Sequence, residues 1–480
     1  MTSRLRTPLG PPRGAGAAGR TFLEWLADWQ IVPVGLLAPV FMLADRLPYG
    51  VIALAVLAIP ALWAAYRVVR GRFFTPTPVD LALLVWLATL PVGVWAAAVP
   101  ALSLPPLLRY LFAVALFYAL VNSLSSEHRI ELAGWTAIIG TLLLMGLGLV
   151  GTAWGGSKFL PVDLGRHIPY LIGSFWPTAG FHPYHLAGAL ILLSPILLSY
   201  ALAAHTWPRR FILWLLFVVE AFTLVLAQSR GALLGFVAAL LVVAVGRIRL
   251  PLKRAPIQGR PHGRDRRWVW LVVVLAVAAT VGWAAARGYS GLGRPYGVQP
   301  SAELVTDSAW DGVVRSGERR LELFSHALYA LEDFPLTGVG LGMSPRVLPL
   351  LYPFLLVRPD PELPHVHNIY LQIGVDHGLP GLIAFLAFLI LLSGMGIQAI
   401  RLSRGRPWEP FAIGLLAGLA ATLVYGLVDT VWGTPRTNPI LWGQWGLLTA
   451  AWCQARVQRA TVEASGHVEA EGGQAVRTPA

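Results

Sequence analysis

A helix needs about 20 consecutive, mostly apolar residues to cross the hydrocarbon core of a bilayer. This chain meets that length twelve times: 26–44, 47–66, 79–98, 102–121, 133–153, 183–204, 210–227, 229–246, 268–286, 379–400, 410–431 and 438–456. These runs take up half of the 480 residues. Soluble domains carry roughly 25% charged residues, whereas only 13% are charged here and the mean hydropathy is +0.63. Pro60, Pro91 and Pro195 fall inside these runs. Membrane helices tolerate such breaks because neighbouring helices satisfy the freed carbonyls. The expectation is an all-α polytopic membrane protein of about 12 transmembrane helices, with a large outer loop between helices 9 and 10.

The basic residues give this arrangement an orientation. With both termini on the cytoplasmic side, the inner segments hold 23 Arg and Lys, among them Arg67, Arg70, Arg72, Arg129, Arg209, Arg210, eight bases over 247–267, Arg401, Arg404 and Arg406. The short outer loops hold 5: Arg46, Lys158, Arg166, Arg230 and Arg436. Such asymmetry follows the positive-inside rule, and inverting the topology or removing one helix destroys it. The net charge of +13 is therefore a topology signal. The bases are spread over several inner loops, which argues against a nucleic-acid partner. The single cysteine, Cys453, permits no intrachain disulfide.

Residues 1–20 and 461–480 read as disordered cytoplasmic tails flanking a membrane domain over 21–460. The first tail lacks the apolar run of a cleaved signal peptide. Two outer segments differ from the rest. Residues 154–182 are rich in glycine and aromatics (Trp154, Phe159, Tyr170, Phe175, Trp176), a composition suited to the membrane interface. Residues 287–366 form a loop long enough to expect structure and function of its own. Within it, Leu321, Phe324, Leu328 and Leu331 recur at helical spacing, so Glu318–Phe334 reads as a helix ended by Pro335. Gly338, Gly340 and Gly342 follow as alternating glycines. No strand–helix unit surrounds them, so a dinucleotide site is rejected. The stretch around Leu350–Val357 is too short to span and is expected at the interface.

Three clusters carry chemistry. The first is His367-Asn368, with Gly378 and Gly381 opening the next apolar run. A histidine ordinarily titrates near neutrality and exchanges protons at working pH. The second is Ser229-Arg230-Gly231, in a tight turn between two apolar runs. The third is Arg319-Arg320 and Phe324, leading to Pro335-Leu336-Thr337-Gly338-Val339-Gly340. Together, over roughly 180–395, these resemble the O-antigen ligase and polymerase family of membrane glycosyltransferases. Phe324 stands where that family typically has tryptophan, and either Arg319 or Arg320 matches its arginine.

The resemblance implies a twelve-helix fold with both termini inside and an active site facing the periplasm of the inner membrane. It implies an undecaprenyl-pyrophosphate-linked glycan donor and a lipid A core or second glycan as acceptor. Arg230 and Arg320 would hold the pyrophosphate, since a guanidinium keeps its charge and binds phosphate in a planar fork. His367 would take the proton of the acceptor hydroxyl, with inversion at the anomeric carbon. Asn368 would orient the imidazole or the acceptor, and His182 and His185 would line the acceptor path. Ser229, Gly338, Gly340, Gly378 and Gly381 would shape the backbone. No Asp-x-Asp pair lies on the outer face, which favours a reaction without metal or other cofactor. His365, His367 and His377 form the alternative metal set, disfavoured by the distance of His377 along the chain. Arg109 and Asp429, charged groups within or near spans, are further functional candidates, and Glu220 reads as a buried partner for an arginine. A transporter is disfavoured by the long outer loop and the absence of a clear internal repeat. The choice between ligase and polymerase is left open, as is the oligomeric state.

Overall fold

The structure, a computed structural model, describes residues 17–43, 47–154, 167–171, 180–247, 309–353, 365–429 and 437–475. The ninth apolar run (268–286), the bases of 249–267, and Phe159, Phe175 and Trp176 lie outside these residues, as do 287–308 and 354–364. The helices are α1 (Ala17–Asp28), α2 (Ile31–Met42), α3 (Tyr49–Arg70), α4 (Asp80–Trp95), α5 (Pro100–Ser123), α6 (Glu127–Gly151) and α7 (Pro183–Ala203). They continue as α8 (Trp207–Leu226), α9 (Arg230–Arg247), α10 (Ala309–Asp333), α11 (Ser344–Leu351), α12 (Ile369–Leu402), α13 (Glu409–Tyr425) and α14 (Asn438–Ala475). Among the described residues the only pairing of strand type is an isolated bridge between Thr152 and Phe181.

The other eleven apolar runs coincide in place with helices. Fewer pass as spans on length and composition. Six of the described helices are long and apolar enough, and seven if α1 and α2, bent by 68°, count as one. Helices α4 and α13 are apolar but short. Helix α8 carries Arg209, Arg210 and Glu220, while the start of α14 interleaves Asn, Gln and Gly with its apolar residues. The sequence reading also ended the last helix too early. Helix α14 runs to Ala475, through a continuation that mixes good helix formers (Ala, Glu, Gln) with Thr461, Val462, Gly466 and the paired glycines Gly472 and Gly473. At the other end, α1 starts at Ala17, inside the expected tail.

The core is a stack of α7, α12, α13 and α14. Helix α13 reads Gly414-x-x-x-Gly418, and small residues at that spacing let helix backbones approach closely in a bilayer. A Cβ on Gly418 would sit 2.2 Å from the Leu192 carbonyl oxygen, and one on Gly414 would sit 2.4 Å from the Ile196 Cα. The direction of these contacts makes α7 and α13 antiparallel, so the start of α7 lies at the level of the end of α13. Trp86, Trp408, Trp442 and Trp445 are buried in the same core.

The two ends of the bundle differ in chemistry. Many of the arginines expected on the inner side gather at one end. Arg129 donates to the carbonyls of Asp28 (2.9 Å) and Ser123 (2.8 Å), and Arg70 pairs with Asp28. Arg404 donates to the Gly246 carbonyl (2.8 Å) and to Glu409 (3.0 Å), and Arg406 reaches Glu127 (3.1 Å). Arg247 bonds the Ser199 carbonyl. Glu220 departs from its expected role. It is fully buried in α8, and neither carboxyl oxygen has a hydrogen-bond partner among the described residues.

Candidate active site

The opposite end is built around a break in α12. At Gly378 the backbone leaves the helix (φ 68°, ψ −174°) and resumes one residue later. Pro335 and Leu336, which follow α10, fill the break. The Leu379 amide donates to the Pro335 carbonyl at 2.7 Å. A Cβ on Gly378 would meet the Leu336 carbonyl carbon at 2.6 Å, so only glycine fits both the conformation and the space. The alternating glycines pack in the same way. The Val339 amide donates to the Val375 carbonyl (2.8 Å) and the Leu341 amide to the Gly93 carbonyl (2.9 Å). A Cβ on Gly338 would lie 2.2 Å from the Val375 oxygen, and one on Gly340 would lie 2.5 Å from Ala97 Cα. Two amides of this loop are thus committed to helix carbonyls. Gly381 lets the resumed helix pass His377, whose Cβ would be 2.2 Å from an added Cβ.

The short helix before the break, 369–377, carries the histidine turn at its start. His367 has φ 58°, in the left-handed region that costs a side-chain-bearing residue roughly 1–2 kcal/mol. The surroundings hold it there. Asn368 caps the helix, its side-chain oxygen accepting from the amides of Tyr370 (2.9 Å) and Leu371 (3.0 Å). The Asn368 amide nitrogen donates to the Leu427 carbonyl (3.0 Å), and the Ile369 amide donates to the Gly426 carbonyl (2.8 Å). The Val366 amide donates to Gln372, which in turn donates to Ser344 and Asp376, each at 2.9 Å. Both ends of the Asn368 side-chain amide are therefore engaged, the oxygen in capping its own helix and the nitrogen in joining the histidine turn to the segment after α13.

In that segment lies Asp429, where several polar side chains meet. His367 Nδ1 lies 3.1 Å and His365 Nε2 3.3 Å from the same oxygen, Asp429 Oδ1. A carboxylate only accepts, so each ring donates to it. Arg320 Nη2, from α10, is 3.8 Å from Asp429 Oδ2, and the Tyr425 side chain also hydrogen-bonds Asp429. The two imidazole rings are 4.3 Å apart. Burial alone would raise the Asp429 pKa, but the bonds from His365 and His367 outweigh it and hold the carboxyl well below its usual range. Burial pushes His365 below the ordinary histidine value. The resulting arrangement is an ionised carboxylate and a neutral His365.

The remaining sequence candidates fall around this cluster. Arg320 turns toward it, while its neighbour Arg319 is exposed. Arg230 begins α9, and a Cβ on adjacent Gly231 would touch Val428 at 2.7 Å, one residue from Asp429. The Ser229 hydroxyl accepts from the Ala232 amide at 3.3 Å and helps cap that helix. His182 caps α7, its Nδ1 accepting from the Tyr184 amide at 3.4 Å, and lies 5.3 Å from the His185 ring. The antiparallel packing of α7 on α13 puts both histidines at this end. His377 does not join. It is buried beside Thr89 Oγ1 (3.2 Å) and the Trp86 ring (5.4 Å), so the three-histidine metal set does not form. The set that could hold a metal is His365, His367 and Asp429, whose ligand atoms lie within 4.8 Å of one another. Sequence reasoning considered Asp429 as a charge near a span but did not join it to the histidines, because nothing local in the chain signals a contact across more than sixty residues.

Fold and site together define an all-helical chain with apolar helices of membrane-spanning length and a polar, cationic cluster at one end. Residues 211–386 match the family model described as O-Antigen ligase, so this part of the chain is similar to that family. The family match supports ligase- or polymerase-type activity in general, that of a glycosyltransferase-like enzyme acting on lipid-linked glycans in a membrane. Among curated proteins, none matches the chain.

Proposed function

We propose that the chain is an inverting membrane glycosyltransferase that moves a glycan from undecaprenyl pyrophosphate to a lipid A core, with the His365–Asp429 end facing the periplasm and the arginine-rich end in the cytoplasm. The observation that carries this reading is the convergence of His367, Arg320 and Asp429 from three separate elements. With its Nδ1–H donating a hydrogen bond to Asp429, His367 keeps a lone pair on Nε2. That nitrogen takes the proton of an acceptor hydroxyl. The oxygen then attacks the anomeric carbon from the face opposite the leaving group, and the carbon–oxygen bond to pyrophosphate breaks. Its electron pair stays on the phosphate, where Arg320 and Arg230 offset the growing negative charge. Asp429 stabilises the imidazolium that forms.

A polymerase of the same family would run this chemistry with a second carrier-linked glycan as acceptor. The test is reconstitution of the purified protein with a carrier-linked oligosaccharide and each acceptor in turn. Transfer to the lipid A core is expected. Transfer only to the second carrier-linked unit reassigns the chain as a polymerase, and transfer to neither overturns the proposal.

A further inference from the structure

The two histidines and Asp429 meet a second chemical specification besides acid–base work. A metal ion held by two imidazole nitrogens and a carboxylate, with one position open, is an arrangement zinc adopts in proteins. With metal–ligand bonds of about 2.0–2.1 Å in a tetrahedron, neighbouring ligand atoms lie roughly 3.3 Å apart. Asp429 Oδ1 lies 3.1 Å from His367 Nδ1 and 3.3 Å from His365 Nε2, so two of the three ligand spacings already fit. The third, between the ring nitrogens, is within 4.8 Å, so it exceeds the tetrahedral spacing by about 1.5 Å at most. The other oxygen, Oδ2, faces Arg320, which occupies the second-sphere position of a carboxylate ligand. Two nitrogen donors favour zinc, cobalt or nickel over magnesium or calcium, which prefer oxygen.

We propose that His365, His367 and Asp429 form an inhibitory site for a zinc-class divalent cation. The consequence for His367 follows from its two nitrogens. In the metal-free cluster the ring proton sits on Nδ1 and Nε2 is open. A cation on Nδ1 takes that lone pair, and the neutral ring then carries its one proton on Nε2. The proton passes from Nδ1 to Nε2 through solvent, so no net charge is lost from the ring. The atom that accepts a proton in transfer is thereby blocked. Asp429 becomes a ligand and no longer receives the histidine proton. Binding stands on the geometry alone, whereas inhibition rests on the proposed function.

The test uses the full-length protein in detergent, with Co²⁺ as the spectroscopic probe and Zn²⁺ as the competitor. The expected result is one Co²⁺ per chain with the intense visible bands of four-coordinate cobalt, displaced by Zn²⁺. Removing a second-sphere group commonly weakens metal binding 10–100-fold, so removing a ligand should weaken it by about a hundredfold or more. His365→Ala and Asp429→Ala should each do so, while His182→Ala leaves the spectrum unchanged. A wild-type spectrum in a folded His365→Ala protein, or no cobalt bands in the wild type, overturns the site. If His365→Ala fails to fold, His365→Gln, which keeps a polar side chain but lacks an imidazole, takes its place. In the transfer assay, Zn²⁺ should inhibit over the range in which it displaces cobalt, and a chelator should restore the rate. Metal binding accompanied by faster transfer overturns the inhibitory role. Cobalt binding in a protein that transfers to no acceptor counts against the proposed function and leaves the site standing.

Discussion

Replacing Asp429 by asparagine tests the centre of the proposed mechanism while keeping the shape of the side chain. Asp429 accepts from His365, His367 and Tyr425 and stands 3.8 Å from Arg320. The last contact is long and its guanidinium is partly exposed, so it contributes at most about 1 kcal/mol. The bond from His367 matters more. A charge-assisted hydrogen bond contributes about 1.5–3 kcal/mol, and 1.36 kcal/mol is tenfold in rate. Loss of that bond alone lowers turnover by roughly tenfold to a hundredfold. An asparagine NH₂ group facing Nδ1 also favours the tautomer with its proton on Nε2. The deficit then rises toward the whole contribution of a positioned base, about 10²–10⁴. The assay is steady-state transfer from a carrier-linked oligosaccharide, with donor affinity measured separately. The fall should lie in kcat, with donor Kd changed little. A folded Asp429→Asn protein with near-normal kcat refutes the pairing as a catalytic device. A deficit confined to donor affinity shows that Asp429 serves only to hold Arg320.

Four further outcomes are expected. His367→Ala should remain folded and bind donor, yet transfer about 10²–10⁴ times more slowly; near-wild-type transfer removes His367 from the mechanism. Arg230→Lys and Arg320→Lys keep charge but lose the planar fork, so donor affinity should drop roughly tenfold in each, and isothermal titration with donor checks this. The folded His365 binds its proton less readily than the unfolded residue, so its stabilising effect is present above the ordinary histidine pKa of about 6.5 and fades as pH falls below it. Thermal melts should therefore fall with pH through that region, less steeply in His365→Asn, and parallel curves would show that His365 is not the cause. For topology, with Cys453 replaced, cysteines at Glu332 and Ser125 should react with impermeant reagents from opposite sides of the membrane, and same-side labelling contradicts the orientation.

The apolar runs were legible because a span leaves a periodicity-free signature of length, and eleven of the twelve coincide with helices. The helix over Glu318–Phe334 was readable from its leucine and phenylalanine spacing, though the chain extends it back to Ala309. Individual candidate residues were visible as motif letters, whereas which of Arg319 and Arg320 faces Asp429 emerges only from the way α10 presents them. Asp429 shows the limit. Its partners are His365 and His367, brought close by the Asn368 side-chain bond to the Leu427 carbonyl and the Ile369 amide bond to the Gly426 carbonyl. Neither bond has a sequence signature. Glu220 was misread for the opposite reason, since a carboxyl in an apolar run suggests a partner and the fold supplies none among the described residues.

The break at Gly378 also sets an order of assembly. The chain that closes it, Pro335–Leu336, is synthesised before α12, and the carbonyl offered by Pro335 has no amide to receive until Leu379 is in place. The loop after α10 can already meet Gly93 of α4 through the Leu341 amide, but its contacts with Val375 and Leu379 wait for α12, and Asp429 follows later still. Completion of α12 clasps α10, and the turn after α13 then delivers the carboxylate. The cluster of Arg320, His365, His367 and Asp429 is thus complete only once synthesis has passed Asp429, so a nascent chain shorter than that lacks it.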